Sequence, residues 1–256
     1  MKKIWKYLLF FLLCLAIALV VNLPIRQVLP HVKLPSTVRL AGVSGTLFRN
    51  EAREVHVNQF PLRDVSYHFK PSYIPLLKVC YQVDYEQSVT KVAYDLLNND
   101  TEVSEARVEY PATELARFMP NMLVQPEGQL ELFVDEMAII AGKPSAMSGK
   151  LIWRDLGVQS DGDTLNIGDY QVDFSGNQQK YDFKFTDLDA NLDVDGKGDI
   201  KAGGQYKVDI KISSESAIEP KIRGALDLFA TKISHNNYRL EQTGQLPPDI
   251  TRQLFQ

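Results

Sequence analysis

The run Tyr181-Asp182-Phe183-Lys184-Phe185-Thr186-Asp187-Leu188-Asp189-Ala190-Asn191-Leu192-Asp193-Val194 decides the fold. Aromatic residues hold positions 181, 183 and 185, with polar ones between them. That period of two sends alternate side chains to opposite faces of an extended strand. After Phe185 the apolar phase changes, and Leu188, Ala190, Leu192 and Val194 occupy even positions. A one-residue slip would turn the whole face outward, so a bulge or turn at Thr186-Asp187 is expected to correct it.

The same alternation extends outward along the chain. Val65, Tyr67 and Phe69 form one set, Val79, Tyr81, Val83 and Tyr85 the next, and Val92, Tyr94 and Leu96 follow. Leu130, Leu132 and Val134 flank Glu131 and Phe133; later sets are Tyr170, Val172 and Phe174, then Tyr206, Val208, Ile210 and Ile212. Turn residues at Asn98-Asn99-Asp100, Ser160-Asp161-Gly162-Asp163, Ser175-Gly176-Asn177 and Asp195-Gly196-Lys197-Gly198 are expected to separate the strands. One short helix is expected after Pro111: Thr113 caps it, Leu115, Phe118, Met119 and Met122 lie at helical spacing, and Pro120 limits it.

Gly-x-Leu recurs at Gly45, Gly128, Gly149, Gly224 and Gly244, and is read as a tight strand start that needs a residue without Cβ. Ser44-Gly45-Thr46-Leu47-Phe48 is echoed by Ser148-Gly149-Lys150-Leu151-Ile152-Trp153, which suggests two related β-halves, 41–140 and 141–256. Gly45, Gly128, Gly149 and Gly168 are the candidates for backbone constraint, and Trp153 for a core or sheet-face anchor.

At the other end of the chain, Lys2, Lys3 and Lys6 precede an apolar run from Tyr7 to Val21; residues 4–23 together count 20. At about 1.5 Å per residue this reaches roughly 30 Å, the thickness of a bilayer core. The lysines outnumber Arg26 on the far side, so residues 1–3 form a cytoplasmic tip, 4–23 a transmembrane helix and 24–40 a linker on the opposite side. A cleaved signal peptide is the competing reading, since Ala16-Ile17-Ala18 fits a cleavage pattern. Against it, the apolar run continues through Leu19, Val20 and Val21. The fold class is therefore mainly β: one N-terminal membrane helix, then an exported antiparallel β-rich domain, as a curved sheet or a sandwich, with one short helix.

Charge excludes nucleic acid as a partner. The chain carries −4, and with the three lysines at 2, 3 and 6 set aside, its 28 Lys and Arg fall to 25 against 32 Asp and Glu. Cys14 lies in the apolar run and Cys80 stands alone beyond it, so no internal disulfide holds the exported part. Cys80 reads as a small buried residue, with an intermolecular disulfide as the alternative.

No catalytic, cofactor-binding or metal residue is expected. His31, His56, His68 and His235 lack metal-ligand spacing, and His68 sits on the polar side of its strand. Gly42-Val43-Ser44-Gly45 is one residue short of a nucleophile elbow, and no phosphate loop or dinucleotide fingerprint occurs. An EF-hand loop begun at Asn191 would place Ala202 where a bidentate glutamate belongs, so Asp187, Asp189, Asp193 and Asp195 read as the wet face of a strand.

With these residues in hand, the chain resembles protein N of the bacterial type II secretion system, also called general secretion pathway protein N. The resemblance rests on Gly42 to Leu47, Tyr67-His68-Phe69-Lys70-Pro71 with the pair Leu76-Leu77, Pro111-Ala112 leading to Leu115, and Glu127-Gly128-Gln129-Leu130. It continues through Trp153 with Asp155, Leu165-Asn166-Ile167-Gly168, Gly203-Gly204-Gln205-Tyr206 and Tyr238-Arg239-Leu240 to Leu246. The family usually has tryptophan where Tyr67 or Phe69 stands, and small residues at Lys78, Val79 and Cys80. The resemblance implies a single-pass protein of the cell inner membrane, its N-terminus cytoplasmic and its β-rich domain periplasmic, that is an accessory to export of folded proteins. It implies no enzyme and no cofactor. The expected partners are other inner-membrane or periplasmic components of that machinery, met through strand edges or an apolar patch. The alternative is a periplasmic groove that handles lipid or another apolar ligand.

Overall fold

Alternation becomes strand pairing in the computed structural model, which describes residues 2–31, 38–57, 60–85, 88–113, 125–140, 143–160 and 163–255. The chain divides into two compact units, Met1–Asn98 and Asn99–Gln256. The proposed halves on either side of 141–148 concern duplication of the sequence and are not what delimits these units.

Unit 1 opens with α1 (Lys2–Val21), α2 (Ile25–Val28) and a 3-10 turn at Leu29–His31. Among the described residues five antiparallel strands follow in chain order: β1 (Val38–Gly45), β2 (Arg49–Val57), β3 (Phe60–Lys70), β4 (Lys78–Tyr85) and β5 (Ser88–Asp95). A 3-10 helix, Pro71–Leu76, joins β3 to β4, and Leu77 closes it at φ 55°. Val43, Ala52, Val55 and Val65 form the core, and Leu62, Tyr67, Val83, Ile25 and Leu29 pack against it. Ala52 and Val55, like Leu62 and Val65, are three residues apart, so the period of two is interrupted within β2 and β3, where Asp64 holds φ 54°.

Among the described residues unit 2 has nine strands: β6 (Thr101–Pro111), β7 (Gln125–Ile140), β8 (Lys143–Ser160), β9 (Asp163–Asn177), β10 (Lys180–Ala190), β11 (Asp193–Lys201), β12 (Gln205–Ser213), β13 (Thr231–Ser234) and β14 (Asn237–Gln245). They form one antiparallel sheet in chain order up to β12, where β14 pairs next and β13 lies last. Register assigns the two faces. Val108, Leu132, Leu151, Val172, Phe185, Gly196, Ile210 and Leu240 are successive cross-strand partners, a row that is apolar throughout. One residue away, Lys150, Asp173, Lys184, Lys197, Asp209 and Glu241 form a charged row on the other face. Within this unit the strands make one layer rather than two facing sheets.

Helices α3 (Pro220–Phe229) and α4 (Pro248–Phe255) were not expected from the sequence. Ile222 and Leu226 of α3 pack against Leu192, Ile218 and Tyr238, and the Phe255 ring of α4 lies 5.4 Å from that of Tyr181. The helix expected from Thr113 to Met122 lies outside the described residues beyond Thr113, as does the turn at Asp161-Gly162. Among the described residues no helix is long and apolar enough to cross a membrane, so the transmembrane helix read over 4–23 is not shown. The described apolar side chains of α1, among them Phe10, Phe11, Leu12 and Leu13, are exposed.

Several local expectations are corrected. Gly-x-Leu does not mark strand starts: Gly45 ends β1, Gly128 and Gly149 lie inside β7 and β8, Gly224 is helical, and Gly244 is near the end of β14. Asp195 to Gly198 is not a turn but the middle of β11. A Cβ on Gly196 would lie 2.7 Å from Ile210 Cγ1, so its neighbour's side chain already fills that space. The turn falls instead at Asn191-Leu192, and Ser175-Gly176-Asn177 ends β9, with the turn at Gln178-Gln179 after it. The phase correction does occur, slightly later than expected: the register shifts between Asp187 and Asp189 and leaves Leu188 exposed. Asp187 Oδ1 accepts the Val194 N–H at 2.7 Å and ties the bulge to the next strand.

Candidate functional site

Three of the five singled-out residues meet at a line of bulges across β7, β8, β9 and β10. Register shifts occur at Glu127/Gln129, Trp153/Leu156 and Asp187/Asp189. Gly128 holds φ +101°, and a Cβ there would run into the Arg154 carbonyl and lie 2.6 Å from the Asp155 carbonyl. Directly beside it, Trp153 Nε1 donates to the Glu127 carbonyl at 2.9 Å. Gly168, at φ +122°, lies against Ala190 across the β9–β10 pair. Gly149 is further along β8, facing the Phe133 carbonyl and the Phe174 ring, and Gly45 belongs to unit 1, beside the Arg49 carbonyl.

On the charged face the same bulges carry an ion network that the sequence reading missed. Glu131, 8% exposed, accepts from Arg154 Nε at 2.8 Å and from Arg107 Nη2 at 3.4 Å. Arg154 Nη1 reaches Asp169 Oδ2 at 3.1 Å, and the other oxygen of Asp169 accepts the Asp155 N–H at 2.7 Å. Its hydrogen bond to Glu131, followed by that carboxylate's charge, pushes the Arg154 guanidinium's pKa further up. Arg107 and Lys150 lie over the Phe133 ring at 5.0 and 5.1 Å. Glu131 sits at an ordinary polar position of the Leu130, Leu132 and Val134 alternation, so nothing in the sequence marked it, and its partners lie 23 and 24 residues away. Each carboxylate here is engaged by a guanidinium or a backbone N–H, an arrangement that stitches β6 to β9 together rather than freeing an acid or base.

A bidentate pair joins β12 to β14. Asp209 accepts Arg239 Nε at 2.9 Å and Nη2 at 2.8 Å, and these bonds hold its carboxyl below the usual carboxylate range. His68 lies 3.2 Å from Asp84 and His56 3.0 Å from Glu54. Among the described residues no group of His, Cys, Asp and Glu is placed to hold a metal ion. Cys80 is fully buried and free; burial pushes its thiol up, with Lys70 and Lys91 pulling partly back. That position suits a packing residue more than a crosslinking one.

What remains is surface. The end of β1 is tied to the segment after α1: Arg26 Nε donates to the Val43 carbonyl at 2.9 Å, and just past the strand Pro24 bridges to Thr46 and Leu47 N donates to the Leu23 carbonyl at 3.0 Å. β13, last in the order of unit 2, pairs only with β14 among the described strands. Beside it Leu228, Phe229 and Ile233 are 79, 75 and 63% exposed. A four-residue edge with Ile233 exposed within it and Leu228 and Phe229 exposed before it can accept a strand or an apolar surface from another protein.

The family model for type II secretion system (T2SS), protein N matches residues 36–241. The chain is similar to a protein of Vibrio cholerae serotype O1 (strain ATCC 39315 / El Tor Inaba N16961) named type II secretion system protein N. The two are 21% identical over 254 residues, covering 96% of this chain and all of that protein. No solved structure matches.

Proposed function

We propose, from the premise that this chain belongs to the type II secretion system protein N family, that it is an accessory, non-enzymatic inner-membrane component supporting assembly or stability of that secretion machinery. Residues 4–23 anchor it, with residues 1–3 in the cytoplasm and both sheet units in the periplasm. The anchor is supported by the apolar sequence over a continuously helical stretch, by the exposure of its described side chains, and by lysines on one flank only. The observation that carries the assembly role is the open β13 edge with Leu228, Phe229 and Ile233 around it. Deleting the gene is expected to lower release of exoproteins and leave them in the periplasm, or to lower the level of another inner-membrane secretion component. Unchanged release together with unchanged component levels would overturn the role.

A second reading has its own observation. The apolar row of unit 2 is only partly covered along Leu132, Leu151, Val172, Phe185 and Ile210, with described helices packing near Tyr238 and near Tyr181. A lipid or other apolar chain laid along that row is the alternative function. Co-purification of lipid with the full chain in detergent, lost on replacing Val172 by Asp, would favour it.

A further inference from the structure

The pair Leu76-Leu77, quoted above only as a point of resemblance, belongs to a built patch. Gly45, Arg49, Lys70, Lys78 and Asp95 are strand termini that all fall at one end of the unit 1 sheet. Here Ile74, Leu76, Leu77, Leu96 and Leu97 are 54, 65, 48, 54 and 70% exposed. They are held in place: Leu96 N donates to the Leu77 carbonyl at 3.0 Å, and Leu77 N to the Ile74 carbonyl at 2.9 Å. At the opposite end, Val89 is the one large apolar side chain exposed among those described. Five exposed aliphatic residues at one end are more than scattered surface apolarity explains.

This end is also where α1 stops. Leu47 N donates to the Leu23 carbonyl, Phe69 N to the Phe48 carbonyl at 2.8 Å, and Tyr81 Oη to the Leu47 carbonyl at 3.3 Å. The Phe48 and Phe69 rings meet edge to face at 5.0 Å, and the Tyr81 ring lies tilted against Phe69 at 5.5 Å. A chain of backbone bonds and rings thus runs from the end of α1 to the foot of the 3-10 helix. Arg49, Lys70 and Lys78 lie on the same end, and the Asp95 carboxylate beside them is engaged by the N–H groups of Leu97 and Asn98. Exposed aliphatics flanked by basic groups match the interface of an anionic bilayer, where apolar side chains enter the acyl boundary and cations meet phosphates.

We infer that Ile74, Leu76, Leu77, Leu96 and Leu97 dip into the phospholipid bilayer that holds α1, seating unit 1 on the membrane surface. The inference rests on the reading of residues 4–23 as the anchor, and the test separates the two. The full chain, carrying Cys14→Ser and Cys80→Ala, is labelled with an environment-sensitive fluorophore at one introduced cysteine: Leu76→Cys, Leu97→Cys, Val89→Cys or Leu12→Cys. It is reconstituted into vesicles of phosphatidylethanolamine and phosphatidylglycerol, with and without lipid bearing a doxyl quencher near the headgroup. Labels at 76 and 97 are expected to emit blue-shifted light that the quencher lipid largely removes, while the label at 89 stays water-like and unquenched. Water-like, unquenched emission at 76 and 97 with a lipid-like, blue-shifted label at 12 overturns the inference and leaves the anchor standing. Such a result would assign the patch to a protein partner. Water-like emission at 12 as well overturns both.

Discussion

Gly128 and Gly224 show how little a residue type says without its surroundings. Both stand in a Gly-x-Leu triplet, yet one holds φ +101° against two carbonyls and the other lies inside α3 with nothing within 4 Å of a would-be Cβ. Gly128→Val therefore adds both a strained backbone and a clash with strand β8, a loss of about 1 to 3 kcal/mol. Gly224→Ala fills open space on a helix and removes freedom from the unfolded chain, a gain of about 0.5 to 1 kcal/mol. Urea unfolding of the full chain in detergent checks both, and the midpoints should move in opposite directions. The tripeptide told of neither outcome, because φ at 128 is set by a bulge opposite Arg154, 26 residues further on.

At the scale of elements, pairing between β12 and β14 depends in part on a charge that acid removes. Arg239 lowers the Asp209 pKa in the folded chain, relative to about 3.9 when unfolded. The resulting stability is present above the unfolded value and is lost as pH falls through the lower, folded one. Urea midpoints measured at neutral pH and below pH ~4 should therefore fall with acid, and Asp209→Asn should lower the neutral value and flatten that limb. The pair is partly exposed and screened by solvent, so the effect is small. An unchanged acid slope in the variant would assign the effect to other carboxylates. Strands such as β4, β9 and β10 were legible because a period of two is a local property of the chain. Helix α3 was not: its apolar face makes sense only against Leu192 and Tyr238, and its Gly224 imitates a strand signal. The Glu131–Arg154 network was hidden for the same reason, since register and not spacing brings its members together.

Across the whole molecule, the two terminal edges are treated differently. The segment after α1 is tied to the end of β1, with Arg26 on the Val43 carbonyl and Pro24 and Leu23 on Thr46 and Leu47 just past the strand, whereas β13 pairs on one side only among the described strands, with Leu228 and Phe229 exposed before it and Ile233 within it. Lys232 and the four-residue length of the strand blunt this edge only in part, because Leu228, Phe229 and Ile233 stay exposed before and within it. If β13 is where a secretion component docks, Ile233→Lys should reproduce that blunting without disturbing the fold, because residue 233 is 63% exposed. The expected result is a stability change within about 0.5 kcal/mol and a loss of partner capture of about tenfold, equivalent to ~1.4 kcal/mol. Exoprotein release should fall in parallel. Site-specific crosslinking from a photoreactive residue at 231 in living cells supplies the readout: the adduct with another secretion component should fade in the Ile233→Lys chain while the chain's own level holds. Full secretion by the Ile233→Lys chain, with no adduct formed from residue 231 in either chain, would remove β13 as the docking edge.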